Sequence, residues 1–230
     1  MSRPPSGVVR GIQVDHASPG PRHEAKVFCV GAGKTGTTSL EVFFRSLGFR
    51  VGDQAKGELL LQDWAARNFA PIISLARSAQ FFQDLPFNCP DTFQAMDTAF
   101  PGSKFILSVR DDPEQWYVSL TRFHTKLLGR GRLPTAADLR EFPYRYKGWI
   151  LESLILVYGV AEDEPYRKDI LINAYERHNA AVKKYFTHCS ASLLVVNVAE
   201  PDTAQRIIEF VGLPYQGEQI PHLNRSRGDL

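Results

Sequence analysis

The sequence predicts an α/β fold in which a parallel β-sheet is flanked by helices. The first observation is that short apolar runs alternate along the chain with helical patterns, as in sheets whose strands are joined by crossover helices. The second is that at least three of these runs end in a polar residue that is followed by a helix. The third is a purely helical pattern between residues 144 and 186, which predicts a helical insertion in the C-terminal half.

The first strand is predicted at residues 27–30, a compact apolar run that ends at Gly31. A helix is predicted after a short loop, because four large apolar residues recur there at helical spacing: Leu40, Phe43, Phe44 and Leu47. Gly48 is placed to end that helix. A second strand is predicted at Phe81-Phe82, with Pro86 stopping the run.

The third strand, at residues 105–109, is the clearest of the later ones and ends at Arg110. A helix is predicted directly after it, since Pro113 suits a first helical turn and acidic residues favour the positive end of the helix dipole. The fourth strand is predicted at residues 193–196, followed by a helix from about 202 to 211. Within the insertion, one stripe of a long helix is predicted to carry Ile170, Leu171, Tyr175, His178, Val182 and Tyr185.

Composition limits the possible classes of protein. The 230 residues, 43% hydrophobic and 23% charged, suit one soluble globular domain, predicted over residues 26–230. Residues 1–25 carry four prolines and few large apolar side chains, which predicts a flexible N-terminal arm, with an extra edge strand at residues 7–14 as the alternative. The 27 basic and 25 acidic residues give a net charge of +2 without a long like-charge block, which argues against nucleic-acid or membrane partners.

The three cysteines are far apart and form no CxxC pair, which favours a reducing compartment over a disulfide scaffold or a zinc site. Since the first 25 residues contain no apolar signal segment, a cytoplasmic location is expected. The sequence leaves open whether the protein is a monomer or a homodimer.

The most informative segment is Gly31-Ala32-Gly33-Lys34-Thr35-Gly36-Thr37-Thr38-Ser39. Its glycines allow the backbone to turn its amides inward, and the helix that follows presents unpaired N–H groups. Lys34 adds a positive charge and the threonines add hydroxyl donors, which predicts a phosphate site. The segment is not a Walker A loop, because Phe28 stands where that motif needs its first glycine.

The form Lys34-Thr35-Gly36-Thr37-Thr38 resembles the 5′-phosphosulfate loop of the PAPS-dependent sulfotransferases, in their compact bacterial-type branch. The resemblance extends over residues 26–228 in element order and implies a P-loop-like sheet. It implies transfer of a sulfuryl group from PAPS to a hydroxyl, or less readily an amine, of a small molecule, with release of PAP and no metal requirement. The loop residues expected to bind the donor are Gly33, Lys34, Thr35, Gly36, Thr37, Thr38 and Ser39.

Two further segments match the family's sites for the 3′-phosphate. Arg110 ends a strand and Ser119 lies on the next helix, although their spacing is nine positions where eight is the commoner family spacing. The resemblance also gives Arg225, Arg227 and Gly228 a place over the same phosphate. The family's Tyr-Glu-Asp segment has no match after the last strand, so the residues that recognise adenine are unassigned.

Asp84 stands where cytosolic members of the family have a histidine as general base. An aspartate of ordinary pKa, near ~3.9, is a weak base for an alcohol, so this role requires desolvation or a concerted proton transfer. The alternative is that Asp84 only caps the turn that follows. His124 is the next candidate for a catalytic base, and His178 is a third that also fits a packed core position.

Two rival functions remain at this stage. A nucleotide or small-molecule kinase would use Lys34 and Thr35 for phosphate and magnesium, with Asp84 or Asp111 holding the metal. A non-catalytic module would bind the nucleotide without turnover. The aromatic residues of the insertion, Trp149, Tyr158 and Tyr175, are equally suited to the core and to the walls of a pocket for a cyclic or aromatic acceptor.

Overall fold

The computed structural model describes residues 26–129, 131–189, 192–221 and 223. In this part of the chain, four parallel strands form one sheet in the order β2-β1-β3-β4. The strands are β1 (Val27–Cys29), β2 (Phe81–Phe82), β3 (Lys104–Ser108) and β4 (Leu193–Val196). The predicted α/β class with a parallel sheet flanked by helices is therefore confirmed. The predicted N-terminal arm lies outside the described residues.

Ten α-helices and one short 3-10 helix connect and cover these strands in the described residues. The α-helices are α1 (Thr37–Ser46), α2 (Gln54–Glu58), α3 (Leu61–Ala65), α4 (Ala70–Ala76), α5 (Thr92–Ala99), α6 (Pro113–Leu128), α7 (Ala136–Glu141), α8 (Trp149–Tyr158), α9 (Lys168–Tyr185) and α10 (Thr203–Phe210). None of the described helices is both long enough and apolar enough to cross a membrane.

The two faces of the sheet bury separate apolar clusters, because successive side chains of a strand point to opposite faces. On one face, Val27 and Cys29 of β1 pack in a cluster that includes residues of α1 and α10. On the other face, Phe28 packs with residues of β3 and α6. All three residues of β1 are buried, which explains why the strand reads as a continuous apolar run rather than an alternating one.

The strand order places a topological switch point between β1 and β3. The chain leaves β1 to form β2 on one side and returns to form β3 on the other, and the carboxyl edge at such a point is where ligands bind in open α/β sheets. The two strands approach very closely there: a Cβ on Gly31 would lie 2.2 Å from the Ser108 hydroxyl oxygen and 2.3 Å from the Ser108 carbonyl oxygen. Only glycine fits at position 31.

The predicted helical insertion is present as α8 and α9 followed by the 3-10 turn. The predicted stripe of α9 is buried at Leu171, Tyr175, His178 and Val182, but Tyr185 is 39% exposed and donates a hydrogen bond to Asp97 at 2.9 Å. Strand β3 and helix α10 differ from the predicted bounds by one residue at each end. Five short helices, α2 to α5 and α7, were not predicted, because each has eight residues or fewer and too few turns to show a helical period.

Candidate active site

The loop between β1 and α1 forms a cradle in front of a helix N-terminus. Lys34 and Gly36 both adopt left-handed backbone conformations, with φ of 76° and 98°. Gly36 is the N-cap of α1 and, as a glycine, makes no side-chain cap hydrogen bond to the first turn. The first N–H groups of a helix have no partner within the helix, so this turn can bind an anion.

The side chain of Thr35 supports the loop from below. It is fully buried, donates to the Ala32 carbonyl at 2.7 Å and shares a 2.6 Å hydrogen bond with Ser108. This hydroxyl ties the loop to the end of β3 and does not face the groove described next. The sequence motif alone did not show that Thr35 is buried whereas Thr38 is exposed.

A cavity of about 240 Å³, called the cationic groove below, lies against this loop. It brings Arg110 and Ser119, the two residues predicted to bind the 3′-phosphate, next to the loop between β1 and α1. Its walls are formed by Lys34, Gly36, Thr37, Thr38, Ser39, Arg110, Ser119, Arg122, Phe123, Lys126 and Leu223. Four of these residues are cationic, and none of the described ones carries a carboxylate. The groove suits a ligand with several negative charges.

The sequence reading missed Arg122 and Lys126, which are two of the four cations. They follow Ser119 by three and seven positions on α6, so all three share one face of the helix. That spacing was the available signal, since any residue on the Ser119 face would reach the same groove.

The Arg110 guanidinium is held by the loop rather than by an acid. Its Nε donates to the Lys34 carbonyl at 2.7 Å, and its backbone N–H donates to the Tyr175 hydroxyl at 3.1 Å. The neighbouring acids have other partners: Asp111 accepts from Gln115 Nε2 at 2.7 Å, and Asp112 caps α6 by accepting from the Gln115 N–H at 2.7 Å. Within the described residues, neither Arg110 nor Lys34 has an ion-pair partner within 4.0 Å.

A second cavity, of about 110 Å³, adjoins the first and is called the apolar cavity below. Lys34 and Phe123 line both cavities, and Gly33 lines the apolar one. Most of its wall is apolar or aromatic, contributed mainly by α6 and α8: Leu120, Phe123, Leu127, Trp149, Ile150, Leu154, Val157 and Tyr158. Its polar and ionisable wall residues are Lys34, Gln54, Glu58, Asp84, His124, Tyr144 and Ser153.

Asp84 lies two residues after the end of β2 and lines the apolar cavity. Its Oδ2 accepts a hydrogen bond from Gln54 Nε2 at 3.2 Å, while its buried Oδ1 has no partner among the described atoms. Burial raises the pKa of Asp84 from 3.8 to about 6; Lys34 and the Thr37 hydroxyl oppose the rise, and Glu58 contributes to it. The turn that follows is closed by the Asp84 backbone carbonyl, so the side chain does not cap it.

The two candidate histidines occupy different places. His124 lines the apolar cavity, with Nδ1 2.9 Å from the Tyr166 hydroxyl, and burial, with the Lys34 charge, lowers its pKa to about 3. His178 lines neither cavity and instead donates from Nε2 to the Val30 carbonyl at 2.7 Å, which supports the start of the loop. Burial lowers the pKa of His178 as well.

Lys34 lies between the two cavities. Its ammonium nitrogen sits 3.2 Å from the centre of the Phe123 ring, a cation–π contact. Burial lowers the pKa of Lys34, whereas Asp84 acts in the opposite direction. A positive charge is thus placed where the groove and the apolar cavity meet.

Of the three aromatic residues expected around an acceptor, Trp149 and Tyr158 line the apolar cavity and Tyr175 does not. Tyr175 is stacked on Trp116 with ring centres 4.6 Å apart and planes at 9°. Trp116, which the sequence reading missed, donates from its indole nitrogen to the Gly33 carbonyl at 2.9 Å. These two rings therefore support the loop from α6 and α9.

Three predicted donor-binding residues, Arg225, Arg227 and Gly228, lie outside the described part of the chain. After β4, where the family's Tyr-Glu-Asp segment would stand, Val198 packs against the loop: a Cβ on Gly36 would lie 2.2 Å from Val198 Cγ2. Within the described residues, no group of three or more His, Cys, Asp and Glu side chains is arranged to hold a metal ion.

The comparison with protein-family models agrees with this geometry. A comparison with curated proteins finds no significant match. The family model for a sulfotransferase domain matches residues 26–228, which is most of the chain and includes the loop, Arg110 and both cavities. The chain therefore belongs to the sulfotransferase domain family, whose members transfer sulfuryl groups.

Proposed function

We propose that the protein transfers a sulfuryl group from PAPS to the hydroxyl, or less readily the amine, of a small, uncharged cyclic or aromatic molecule and releases PAP. The observation that carries the proposal is the junction at Lys34, where a groove lined by four cationic residues meets an apolar cavity lined by Asp84. The buried Oδ1 of Asp84 has no hydrogen-bond partner among the described atoms. One cavity suits a polyanionic donor and the other an apolar acceptor.

The cationic groove fits the two anionic ends of the donor. The first turn of α1 and Lys34 would hold the 5′-phosphosulfate, while Arg110 and Ser119 would hold the 3′-phosphate, with Arg122 and Lys126 adding charge. When bound, PAPS supplies the sulfuryl group together with a phosphate leaving group. The groove has enough cations of its own for this ligand, so no metal is needed in the proposal.

Lys34 is proposed to stabilise the negative charge that develops on the leaving phosphate. Preorganised positive charge at such a position acts most strongly when water is excluded. The Phe123 ring and the walls of the two cavities shield the ammonium from solvent. Because Arg110 donates to the Lys34 carbonyl, the two cationic residues are coupled through the loop.

Asp84 is proposed as the general base that takes the acceptor's proton on Oδ1. With a pKa of about 6 it is ionised at neutral pH and is a stronger base than an ordinary aspartate. His124 is proposed to form part of the acceptor cavity as a neutral imidazole, since its pKa is about 3.

The apolar cavity limits the acceptor. An apolar cavity of about 150 Å³ holds benzene, so a cavity of about 110 Å³ limits the proposed acceptor to at most a single small ring. Asp84 and Glu58 both line it, which disfavours acceptors that carry a carboxylate. Trp149 and Tyr158 provide aromatic surfaces for a ring.

A cytoplasmic location and a monomeric or homodimeric state are parts of the proposal that still need testing. All three cysteines are free, with Cys29 and Cys89 buried and Cys189 exposed, which supports a reducing compartment. Cell fractionation and the mass in solution would test these two points.

The test is a transfer assay with labelled PAPS and a panel of single-ring phenols and cyclic alcohols, each paired with a carboxylated analogue. We expect transfer to the uncharged members without added magnesium. Lys34→Ala should abolish transfer, whereas Lys183→Ala, on the exposed side of α9, should not. Tighter binding of ATP with magnesium than of PAP would instead indicate a kinase, and PAP binding without any turnover would indicate a binding module.

The base is tested by Asp84→Asn. Loss of general-base catalysis lowers the rate by about 10²–10⁴-fold, while PAP affinity should stay near that of the wild type because Asp84 does not line the cationic groove. A transfer rate close to the wild-type rate would show that Asp84 is not the base.

A further inference from the structure

One amide joins the two carboxylates of the apolar cavity. Gln54, the first residue of α2, donates from Nε2 to Glu58 Oε1 at 2.8 Å and to Asp84 Oδ2 at 3.2 Å. Its two amide hydrogens are therefore both used, one on each acid. Glu58 is further held by an ion pair with Arg145, whose guanidinium reaches the other carboxylate oxygen.

The orientation of the Gln54 amide is set by a second glutamine. Gln83, which is 4% exposed, donates from Nε2 to Gln54 Oε1 at 2.9 Å and to Glu41 Oε2 at 3.3 Å. With its oxygen held by this donor, the Gln54 amide can only present its hydrogens to Asp84 and Glu58. A flip of the amide would place its oxygen against the carboxylate oxygens of Glu58 and Asp84 and its nitrogen against Gln83 Nε2.

These hydrogen bonds restrain one of the two oxygens of the Asp84 carboxylate. Gln54 holds one carboxylate oxygen, Oδ2, while the other, Oδ1, is buried and has no hydrogen-bond partner within the described part of the chain. Oδ1 lies near Gly33, where a Cβ would be 3.7 Å from it. A carboxylate with one oxygen restrained and the other free has a defined lone pair to accept a proton. Gly33 lines the same cavity beside Lys34.

We propose that Gln54 is a positioning residue, which fixes the Asp84 carboxylate so that Oδ1 faces the acceptor, with Gln83 holding Gln54 in the required orientation. The inference rests on the proposed function, because it gives Asp84 the role of base. It goes beyond that function by assigning a purpose to a side chain that lies on α2, outside the phosphate loop and the cationic groove.

The charged and titratable groups around Asp84 determine what the loss of Gln54 would do. They come from β1, from the loop and from helices α1, α2, α6 and α8, together with the segment before α8, and are Cys29, Lys34, Glu41, Glu58, His124, Tyr144 and Tyr158. Gln54 is the donor that separates Asp84 from Glu58. Without it, no amide hydrogen offsets the repulsion between the two carboxylates, and this repulsion raises the pKa of Asp84. The acid limb of the rate profile, where Asp84 becomes protonated, therefore moves to higher pH.

The experiment compares Gln54→Leu and Gln54→Glu with the wild type in the transfer assay across pH 5–9. We expect kcat to fall roughly 10- to 100-fold, since a small misplacement of a catalytic group has effects of that size. The acid limb should move to higher pH, and PAP affinity should be unchanged, which also shows that the variants fold. Gln205→Leu, which removes an exposed amide–carboxylate pair on α10, is the matched control and should change neither kcat nor the limb.

A double-mutant cycle separates this inference from the proposed function. If Gln54 acts through Asp84, then Gln54→Leu should cause little further loss in an Asp84→Asn background. The positioning role would be overturned if Gln54→Leu lowered kcat by the same factor in the wild-type and Asp84→Asn backgrounds, or if the acid limb did not move in the single variant. A near wild-type rate for the single variant Asp84→Asn would instead overturn the assignment of the base, and it is measured independently of Gln54.

Discussion

The half-buried side chain of Asp84 lines a largely apolar cavity and has its Oδ1 fully buried, and at the scale of single residues this desolvation has two opposite effects. Desolvation raises its pKa to about 6, which makes it a better base. The same desolvation penalises the charged form in the folded protein. Because the folded state binds a proton more tightly than the unfolded chain, the stability contributed at this site falls as pH rises from about 3.8 through about 6.

We therefore predict that Asp84→Asn stabilises the protein at pH 8, by up to roughly 3 kcal/mol, and that this gain shrinks toward zero at pH 4. The reason is that Asn removes a buried charge that exists only above the raised pKa. Urea unfolding at the two pH values measures the difference. The exposed Asp163→Asn is the control and should change stability by no more than about 0.5 kcal/mol at either pH. A variant less stable than the wild type at pH 8 would contradict the prediction.

A second prediction concerns His124. Its pKa of about 3 keeps it neutral between pH 5 and pH 9, so His124→Asn should leave the acid limb of kcat/KM in place and lower the rate by less than about tenfold. Rate profiles of the variant and of Asp84→Asn provide the comparison. If the acid limb of kcat/KM disappeared in His124→Asn and remained in Asp84→Asn, His124 would be the base.

At the scale of secondary-structure elements, α6 separates the two cavities. Ser119, Arg122 and Lys126 face the cationic groove, and Leu120, His124 and Leu127 face the apolar cavity. Phe123 lies between these faces and lines both. The helix is held against the loop by the Trp116 hydrogen bond to Gly33. One helix therefore supplies residues to both proposed substrates and sets the distance between them.

The contact between β1 and β3 gives a prediction at this scale. Gly31→Ala should destabilise the protein by at least about 1–3 kcal/mol, because its Cβ would overlap the Ser108 carbonyl oxygen at 2.3 Å and backbone nitrogen at 2.7 Å. Because these are backbone atoms, adding the Ser108→Ala substitution to Gly31→Ala should not restore stability. Urea unfolding tests this, with Gly33→Ala as control, since a Cβ there meets only Asp84 Oδ1 at 3.7 Å. Equal stability of the two variants would contradict the prediction.

At the scale of the whole molecule, the net charge of +2 gives little long-range attraction for anions, so binding of a charged donor depends on the local groove. The groove lies at the switch point of the sheet and is built from elements spread over the chain, including the loop, α1 and α6. A ligand that contacts all of them should stabilise the entire domain.

We predict that PAP at about 100 times its Kd raises the free energy of unfolding by about 2.7 kcal/mol and the Tm by roughly 5–10 °C. The shift should persist in EDTA, since the proposed contacts come from side chains and helix N–H groups. Thermal unfolding with and without PAP measures it, and Arg110→Ala should show a smaller shift. A larger shift from ATP with magnesium than from PAP would contradict the proposed donor.

Much of the fold could be predicted from the sequence because the relevant signals are local. The run from β1 through the loop to α1, the strand that ends at Arg110 and the strand β4 are each visible within a dozen neighbouring residues. The short helices α2 to α5 and α7 could not be predicted from the sequence, since one or two turns show too little hydrophobic periodicity. Gln54 was missed for a related reason: its partner Asp84 lies 30 positions away, and only the fold makes them neighbours.

By itself, the sequence determined the parallel α/β class, the glycine-rich loop between β1 and α1 and the basic strand end, because glycine positions, apolar periods and a strand–helix boundary are properties of adjacent residues. Only the tertiary structure decided that Thr35 supports the loop, that Trp116 and Tyr175 support it from the other side, and that Asp84 has one buried oxygen with no partner among the described residues. The physical reason is that burial, hydrogen-bond partners and pKa depend on groups brought together from distant parts of the chain.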